Sequence, residues 1–536
     1  MNMRKAAALV VSTLILIAGA QATPSVQATL TLGNTSAGIA SDPSLAKVFV
    51  TNFDSGTVSV IDMNALTVLA TIAVGSSPRR IIADAATHRV YVVNDTTPGT
   101  VTVINASSNA VTATIPVGNN PKSIGANFLI GEVYVSNNAS NSVSVISVAT
   151  NNVIATIPVG KGPLTPTSND NLQKLYVANF TDNTVSVINE ITHTVVKTIA
   201  VGGAPIYAGI DGVHNKVYVN NSTGRTVSVI SSATDTVVAT VASGVGGTGN
   251  LANFALVSNV YHRAYLPNGG DGTMTIINTD TDTVSHTVAV GSTPLDSIVD
   301  TNGGDIYVVN QGSNSVSIIG AATEAVVDTL AVGSAPWRAL DGLNHVFVLN
   351  TNGSNPDSIT IAAEENTIAN TATATEFYES GFDHYFHTSD DVETRLLVDG
   401  LFGDTWHRTL DFWRVWTAPG ASRLPVCRFF STAFGAKSSH FYTPYASECA
   451  GLQAPGSVWQ LESTSVYYIG LPDATGNCAA GTAPLYRVYN NGMGGAPNHR
   501  YMADPAIRAQ MVAAGWIAEG AGPDIVFACT PTLLNG

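Results

Sequence analysis

Val48-Phe49-Val50-Thr51-Asn52 is the stretch that decides the fold, because the chain repeats its pattern eight times. Each copy places an aromatic residue between two aliphatic ones and ends on an asparagine. The eight asparagines are Asn52, Asn94, Asn137, Asn179, Asn221, Asn268, Asn310 and Asn350, and successive ones lie 40 to 47 residues apart. A repeat of this length, built from strand-like sequence, is typical of stacked or closed arrays of small sheets.

Each repeat contains four segments with strand character. Thr57-Val58-Ser59-Val60-Ile61 follows the first asparagine, and its alternation of β-branched and small polar residues predicts a half-buried strand. The next segment contains proline in some copies, which favours a sheet edge, because proline cannot donate a hydrogen bond to the ladder. A Val-Gly-x-x-Pro motif then leads into a short apolar segment such as Ile81-Ile82-Ala83, the expected inner strand. Four such strands, ordered from the inside outward, describe one blade of a β-propeller.

Polar residues recur just before each second strand. They stand seven residues before the first seven aromatics and six before the eighth, as Asp42, Asp84, Asn127, Asn169, Asp211, Ser258, Asp300 and Asp341. Side chains of this type accept hydrogen bonds from nearby backbone N–H groups and tolerate turn geometry. We interpret the repeated asparagines in the same way, as residues that end strands and not as ligands.

The array has a spare strand at its start. Residues 28–33 have the pattern of an outer strand but precede the first inner strand, whereas the eighth repeat fades near Ile361 without an outer strand. Residues 28–33 can therefore complete the last blade and cover its edge. The predicted fold class is all-β, an eight-bladed propeller of four-stranded blades over residues 28–362. Seven blades with a displaced unit is the alternative.

The repeat resembles the YVTN family of β-propeller repeats, whose motif is seen most plainly at Val48–Asn52. The resemblance covers roughly residues 28–362. Members of that family include archaeal surface-layer proteins and many exported bacterial proteins. Propellers of similar design also serve as lactonases, lyases and electron-transfer subunits, so the resemblance implies a fold and leaves the chemistry open.

The first residues predict export. Arg4 and Lys5 precede an apolar run, residues 6–20, that is too short for a lasting membrane span, and Ala20-Gln21-Ala22 offers a cleavage site. We interpret residues 1–22 as a signal peptide and expect a secreted or periplasmic protein, with the cell surface as a further location. Removing them takes the formal net charge from −15 to −17, which disfavours nucleic acid and anionic lipid as partners. No later segment predicts a membrane span.

Candidate ligand-binding residues lie directly after the Val-Gly-x-x-Pro motif, where the inner strands begin. They are Arg79, Arg80, Lys122, Tyr207, Trp337 and Arg338, with Asp296 nearby in the seventh repeat. Converging cations and an aromatic ring suit an anionic or sugar-like ligand. The alternative is a set of unrelated solvated side chains.

No catalytic residue, metal site or cofactor is predicted. Six histidines lie in the repeats without metal-ligand spacing, namely His88, His193, His214, His262, His286 and His345. Asn278-x-Asp280-x-Asp282 superficially resembles a calcium loop but lacks the downstream acid that such loops require.

A different domain is predicted after the repeats. Residues 363–375 have low complexity and predict a linker. Beyond it, related motifs begin at His384, His440 and His499, each after a strand-like segment and before a helical stretch and a tryptophan. Three β-β-α-β units predict a smaller α+β module with pseudo-threefold symmetry over residues 376–531. Its histidines and aromatics suit either sugar stacking or the core of each unit, and the conservative spacing favours the core.

The cysteines also mark this second domain. Cys427, Cys449, Cys478 and Cys529 predict two disulfides in an exported chain, and the residues alone allow three pairings. The motif His440-Phe441-Tyr442-Thr443 looks like the HFYT-type repeat of unknown function found in many exported bacterial proteins. The usual layout of that family implies the pairs Cys427–Cys449 and Cys478–Cys529.

The expected function is that of an exported binding or adhesion protein. Its propeller would engage a carbohydrate, a cell-envelope component or a protein partner. The alternatives are a lactonase- or lyase-type propeller enzyme and a structural surface-layer component. The enzyme alternative requires a histidine with a carboxylate or a metal near the starts of the inner strands, and those segments contain no histidine. The oligomeric state stays open.

Overall fold

The structure is a computed structural model. It describes residues 24–244, 256–258, 261–299, 305–320, 323–342, 345–351, 356–363, 371–379, 384–390, 393–394, 397, 406–420, 422–434, 437–479, 482–490 and 497–531. The predicted signal peptide and the middle of the predicted linker lie outside these residues. No helix among the described residues is long and apolar enough to cross a membrane.

Eight four-stranded antiparallel sheets follow one another along the described part of residues 26–363, in a propeller-like arrangement. The strands of the first four sheets are β2 (Ser36–Asp42), β3 (Lys47–Asn52), β4 (Thr57–Asp62) and β5 (Thr67–Ala73); β6 (Pro78–Asp84), β7 (Arg89–Asn94), β8 (Gly99–Asn105) and β9 (Ala110–Val117); β10 (Pro121–Asn127), β11 (Glu132–Asn137), β12 (Ser142–Ser147) and β13 (Asn152–Pro158); β14 (Pro163–Asn169), β15 (Lys174–Asn179), β16 (Thr184–Asn189) and β17 (Thr194–Ala200).

The last four sheets repeat this plan. Their strands are β18 (Pro205–Asp211), β19 (Lys216–Asn221), β20 (Thr226–Ser231) and β21 (Thr236–Ala242); β22 (Leu256–Ser258), β23 (Arg263–Asn268), β24 (Thr273–Asn278) and β25 (Thr283–Ala289); β26 (Pro294–Val299), β27 (Ile306–Asn310), β28 (Ser315–Gly320) and β29 (Ala325–Ala331); β30 (Pro336–Gly342), β31 (His345–Asn350), β32 (Ser358–Ala363) and β1 (Val26–Thr31). Short 3-10 turns at Pro43–Leu45 and Asp170–Leu172 follow two of the inner strands.

The start of the chain completes the eighth sheet. β1 pairs with β32 in antiparallel register, with Thr29 opposite Thr360. The Leu32 N–H donates to the Asp357 carbonyl at 2.9 Å, and the Ser36 N–H donates to the Asp357 carboxylate. The eighth sheet also shares a buried apolar cluster with the first, in which Phe347 and Ile361 pack with Val48 and Ile61. The outer strand expected at residues 28–33 is therefore present, although it begins at Val26.

The repeated asparagines are buried between sheets. Asn137 Nδ2 donates to the Ser142 and Ser144 hydroxyls of the next strand at 3.1 and 2.9 Å. A Cβ atom on Gly118, which ends the second sheet, would lie 2.6 Å from Asn137 Cγ. The other sheets repeat this contact at Gly33 and Asn52, Gly75 and Asn94, Gly160 and Asn179, Gly202 and Asn221, Gly244 and Asn268, Gly291 and Asn310, and Gly333 and Asn350.

This arrangement corrects the interpretation of the asparagines as turn residues. Their amide groups tie adjacent strands of one sheet together and pack on the glycine of the preceding sheet. Asp84, one of the upstream polar residues, does act as expected, because the Ala86 and Thr87 N–H groups donate to Asp84 Oδ1 at 3.0 and 3.3 Å, whereas the equivalent Asn169 makes no such side-chain cap hydrogen bond.

Charged side chains also connect neighbouring sheets. The first residue of a second strand reaches the turn between the third and fourth strands of the following sheet. Lys174 Nζ lies 2.9 Å from Asp235 Oδ2, and in the third sheet the charges are exchanged, with Glu132 Oε1 lying 2.9 Å from His193 Nε2. Such pairs flank apolar clusters shared by neighbouring sheets, which bury most of the second- and third-strand side chains.

The described part of the second domain contains sheets of five, three and four strands and two helices. Its elements are β33 (Thr371–Glu379), β34 (His384–Thr388), β35 (Trp406–Trp416), β36 (Leu424–Pro425), β37 (Cys427–Phe434), β38 (Lys437–Thr443), α1 (Ala446–Leu452), β39 (Gln460–Ser463), β40 (Tyr468–Ile469), β41 (Thr482–Tyr489), β42 (His499–Met502), α2 (Pro505–Ala513), β43 (Ile517–Glu519) and β44 (Ala528–Pro531).

One boundary differs from the sequence expectation. Residues 371–375, expected in the linker, belong to β33 because their Thr-Ala alternation pairs with β35, with Thr371 opposite Trp416. The two disulfides are Cys427–Cys449 and Cys478–Cys529, which confirms the implied pairing.

We expect Gly118→Ala to lower the free energy of unfolding by about 1–3 kcal/mol, because the added methyl group overlaps the Asn137 amide. The measurement is chemical unfolding followed by circular dichroism. Gly451→Ala in α1 is the control, because its Cβ would meet nothing within 4 Å.

A double-mutant cycle isolates the contact. Combining Gly118→Ala with Asn137→Ala removes the amide that the methyl group meets. The double variant should therefore lose less stability than the sum of the single variants. Strict additivity would show that the glycine is not required by the asparagine.

Candidate functional site

The inner strands of several sheets begin around one pocket of about 320 Å³. We call it the inner-strand pocket. Its lining residues are Thr35, Ser36, Ala37, Phe53, Arg79, Arg80, Lys122, Ser123, Leu164, Thr165, Ile206, Gln311, Trp337, Arg338 and Thr351. Five of the six candidate ligand-binding residues lie in this lining, and the sixth, Tyr207, follows the lining residue Ile206.

A local irregularity of the inner strands positions these side chains. Six of the eight inner strands, β6, β10, β14, β18, β26 and β30, begin with the proline of the Val-Gly-x-x-Pro motif, and the strand register shifts immediately afterwards. In the third sheet Pro121 pairs with Asn137 and Ser123 with Ser136, so Lys122 has no partner in the ladder. Trp337 lies at the same kind of shift in the eighth sheet. A β-bulge redirects a side chain out of the normal alternation, and here it accompanies the side chains that line the pocket.

Two carboxylates partly neutralise the cations of the pocket. Asp95 Oδ2 lies 2.7 Å from Lys122 Nζ and 3.6 Å from Arg79 Nη1, and the Asp95 side chain is only 5% exposed. Asp296 Oδ2 lies 4.0 Å from Arg338 Nη1. The four cationic side chains form an excess over these two carboxylates, and two further carboxylates, Asp54 and Asp357, accept hydrogen bonds from the lining residues Thr35 and Ser36.

The pKa shifts are consistent with that excess. Burial lowers the pKa of Arg80 well below its ordinary value, and repulsion from Arg338 lowers it further, against the opposing effect of Asp296. Burial also lowers the pKa of Arg338 and raises the pKa of Asp296. Because arginine stays protonated in proteins, an anion bound here would relieve repulsion between the guanidinium groups.

The pocket is better equipped for binding than for proton transfer. Its described lining contains no histidine, cysteine, aspartate or glutamate. It does contain an indole, a phenyl ring and several hydroxyl groups beside the cations. The Ser36 hydroxyl is buried without a hydrogen-bond partner among the described residues. Such a surface can hold a carboxylate and an apolar ring face together.

The histidine motifs of the second domain form part of its core. His384 Nε2 lies 3.0 Å from His440 Nδ1, and their rings stack with centroids 5.0 Å apart. His499 lies elsewhere, stacked on Tyr489 with centroids 4.8 Å apart. The three histidines therefore do not converge, and packing explains their repetition.

The units meet instead at His387, Tyr442 and Tyr501. Tyr442 donates its hydroxyl to the His387 carbonyl at 2.6 Å, and Tyr501 donates to the Tyr442 carbonyl at 2.7 Å. His387 stacks on Tyr442 with ring centroids 3.6 Å apart. Burial lowers the pKa of His387 well below its ordinary value, so the ring stays neutral in the core.

A second repeated contact of this domain was missed in the sequence. Arg428 makes two hydrogen bonds to Glu393, at 2.8 and 2.9 Å, and Arg487 makes the equivalent two to Glu448, at 3.0 and 3.1 Å. A sequence signal for this contact was present, because both arginines occupy the same place in their strand motifs. Each is followed by two apolar residues, in Arg428-Phe429-Phe430 and in Arg487-Val488-Tyr489. These ion pairs join successive units.

The structure also brings together residues that sequence spacing had kept apart. His214, His262 and Asp280 come from three different turns, and their potential ligand atoms all lie within 4.8 Å of one another. The expectation that the histidines of the repeats are scattered therefore fails for His214 and His262. Tertiary packing between the fifth and sixth sheets creates the cluster.

Comparisons with known proteins identify one domain. A family model described as a domain of unknown function (DUF5648) matches residues 373–525, which is most of the second domain. No curated protein matches the chain. Among solved structures, Kuenenia stuttgartiensis hydrazine synthase is similar at 16% sequence identity and a TM-score of 0.43, over 61% of this chain and 94% of that chain. That level of similarity carries no inference about activity.

We expect acid to destabilise the second domain before its carboxylates are protonated. Burial lowers the pKa of His384 and of His499 to about 3, whereas an unfolded histidine titrates near about 6.5. The unfolded state therefore binds more protons between these values, and stability falls as the pH falls. Each histidine contributes up to about 1.4 kcal/mol per pH unit in that window.

The histidine effect can be separated from that of the carboxylates. Ion pairing with arginine outweighs burial and lowers the pKa of Glu393 and Glu448, so their effect begins only below about pH 4.5. His499→Phe should flatten the decline in unfolding free energy between pH 6.5 and 5 by about 2 kcal/mol. Tyr489→Phe, which keeps the histidine, is the matched control. An unchanged slope in His499→Phe would contradict the expectation.

Proposed function

We propose that the protein is an exported binding protein whose inner-strand pocket holds an anionic sugar, such as the acidic end of an envelope carbohydrate. The observation that carries this proposal is the convergence of Arg79, Arg80, Lys122, Arg338 and Trp337 on one pocket. We also propose that the eight sheets close into a ring of YVTN-type blades and that the second domain is of the HFYT type. The pocket would then lie at one end of the central axis.

Two features of the pocket favour a sugar acid over a simple anion. Guanidinium groups recognise carboxylates through paired, charge-assisted hydrogen bonds, which supply affinity and orientation. Trp337 adds a flat apolar face, and Leu164 and Ile206 extend the apolar lining. A sugar acid combines a carboxylate with a ring that has an apolar face, so it matches both parts of this surface. The pocket volume also lies at the lower end of the range for small-ligand sites.

The charge of the whole protein makes this pocket more selective. The chain carries a formal net charge of −15, so most of its surface repels anions. A local excess of positive charge inside an acidic protein attracts an anion to one place and leaves the remaining surface poorly suited to polyanions. A short anionic group therefore fits better than nucleic acid.

Binding is better supported than lactone hydrolysis or elimination. Both reactions need a group that transfers a proton at the substrate. The described lining residues offer hydroxyls, cations and an amide, but no histidine or carboxylate. The carboxylates beside the lining already have partners: Asp95 and Asp296 face the cations, and Asp54 and Asp357 accept hydrogen bonds from the Thr35 hydroxyl and the Ser36 N–H. Adhesion to an acidic carbohydrate remains the function that these side chains support.

Titration calorimetry with glucuronate and with glucose tests the proposal. Glucuronate should bind, and its affinity should fall with added salt, whereas glucose should bind far more weakly. Arg80→Met and Lys122→Met should each weaken glucuronate binding by about 10–100-fold, because each removes a hydrogen-bond donor to a charged group. Lys197→Met is the matched control, since Lys197 lies exposed on the outer strand β17.

A variant that is expected to strengthen glucuronate binding makes the test sharper. Asp95→Asn removes a charge that occupies Lys122 and Arg79, so it should raise glucuronate affinity. Equal binding of glucose and glucuronate, or equal losses in Lys197→Met and Arg80→Met, would refute the proposal.

A further inference from the structure

We propose that His214, His262 and Asp280 bind a divalent transition-metal ion of the zinc class and thereby join the fifth and sixth sheets. His214 lies in the turn between β18 and β19 of the fifth sheet. His262 immediately precedes β23, and Asp280 lies in the turn between β24 and β25, both in the sixth sheet. Among the described residues, this is the group of three whose ligand atoms approach closely enough to share an ion.

The distances suit a shared ion. His214 Nε2 lies 2.9 Å and His262 Nδ1 lies 2.7 Å from the same oxygen, Asp280 Oδ1. The two imidazole rings meet edge to face, with centroids 5.0 Å apart. Zinc holds its nitrogen and oxygen ligands at about 2.0–2.2 Å in a tetrahedron, which places them about 3.3 Å apart. The two nitrogen–oxygen pairs would therefore widen by about half an ångström around the ion, while the two histidine nitrogens, which lie within 4.8 Å of each other, would adjust towards the tetrahedral separation.

A buried carboxylate orients one of the ligands. Asp211 Oδ2 lies 2.8 Å from His214 Nδ1, and the Asp211 side chain is 1% exposed. Asp211 also accepts the His214 N–H at 3.0 Å, which fixes the carboxylate in its turn. A carboxylate at Nδ1 holds a proton there and leaves the Nε2 lone pair available, as is usual for metal-bound histidine.

With the proton on Nδ1, the lone pair of His214 Nε2 points at the Asp280 carboxylate. His214 Nε2 and Asp280 Oδ1 are then both electron-rich atoms in contact, and they repel unless a cation lies between them. A metal ion between the two atoms would satisfy the pair. Because His262 Nδ1 approaches the same oxygen, one divalent ion would satisfy all three groups at once.

The ligand types select the class of metal. Two imidazole nitrogens and one carboxylate suit zinc, cobalt, nickel or copper, whereas calcium and magnesium prefer oxygen ligands. The other members of the calcium-like motif have different partners. Asp282 pairs with Lys216 at 2.9 Å, and the Asn278 side chain accepts the Asp280 N–H at 2.9 Å. A calcium loop is therefore not formed by Asn278, Asp280 and Asp282.

The location gives the ion a structural role. The side chains of His214, His262 and Asp280 are 23%, 34% and 49% exposed, so water can enter and complete the coordination. A metal bridge between His214 in the fifth sheet and His262 and Asp280 in the sixth would hold these two sheets together.

Zinc titration of the chelator-treated protein tests the proposal. We expect one tightly bound equivalent by calorimetry, one zinc ion per chain by elemental analysis after dialysis, and a higher melting temperature with zinc. His262→Gln and Asp280→Asn should each weaken zinc binding by at least about 10–100-fold and abolish the shift in melting temperature.

The second sheet offers a matched control. His88 occupies the equivalent turn, and its Nδ1 lies 2.8 Å from Asp42 Oδ2, so His88→Gln removes a histidine–carboxylate pair outside the cluster. It should leave zinc binding unchanged. Circular dichroism without metal shows whether each variant folds, and Asp280→Asn, in a half-exposed turn, keeps the shape of the side chain. No bound equivalent in the wild-type protein, or equal binding in His262→Gln and Asp280→Asn, would overturn the proposal.

Discussion

The contact between an asparagine of one sheet and a glycine of the preceding sheet is the constraint on which the repeat array depends. The amide of Asn137 fills the space that a side chain on Gly118 would need, and the same contact recurs at all eight asparagines. Because the amide also holds two strands of its own sheet together, it links pairing within a sheet to spacing between sheets. The glycine of the Val-Gly-x-x-Pro motif and the asparagine that ends the second strand of the next sheet are therefore the two partners of one packing contact.

That spacing also determines where the pocket forms. In six of the sheets the glycine lies three residues before the proline that starts the inner strand, so the contact fixes where that strand begins. The register shift after the proline then exposes the following residue. The same backbone irregularity thus places a different side chain at the pocket in each sheet: Arg79 in the second, Lys122 in the third and Trp337 in the eighth. The framework is repetitive, whereas the chemistry depends on one variable position in each repeat.

Sequence reasoning succeeded where a contact recurs with the repeat and failed where it joins different turns. The 42-residue spacing and the spare segment at residues 28–33 predicted the order of sheets and the pairing of β1 with β32. Five of the six residues chosen at the position after Val-Gly-x-x-Pro line one pocket, and their role in ligand binding stays a prediction. The partner of each asparagine was missed, because it lies in the preceding repeat. The cluster of His214, His262 and Asp280 was missed because Asp280 lies in a different turn of the repeat and the two histidines differ by one residue in their position before the repeated aromatic residue.

The pairing of β1 with β32 has a consequence for the order of folding. The Ser36 N–H and its acceptor Asp357 are separated by 321 residues. The first residues of the array therefore reach their final contacts only after the last repeat has folded. Contacts this far apart in the chain form slowly, since a long loop must be ordered first. Until the chain up to residue 363 has folded, the side of the first sheet that packs on the eighth stays exposed, and β1 has no strand to pair with. A chain that lacked the last repeat would therefore leave β1 without its partner strand β32.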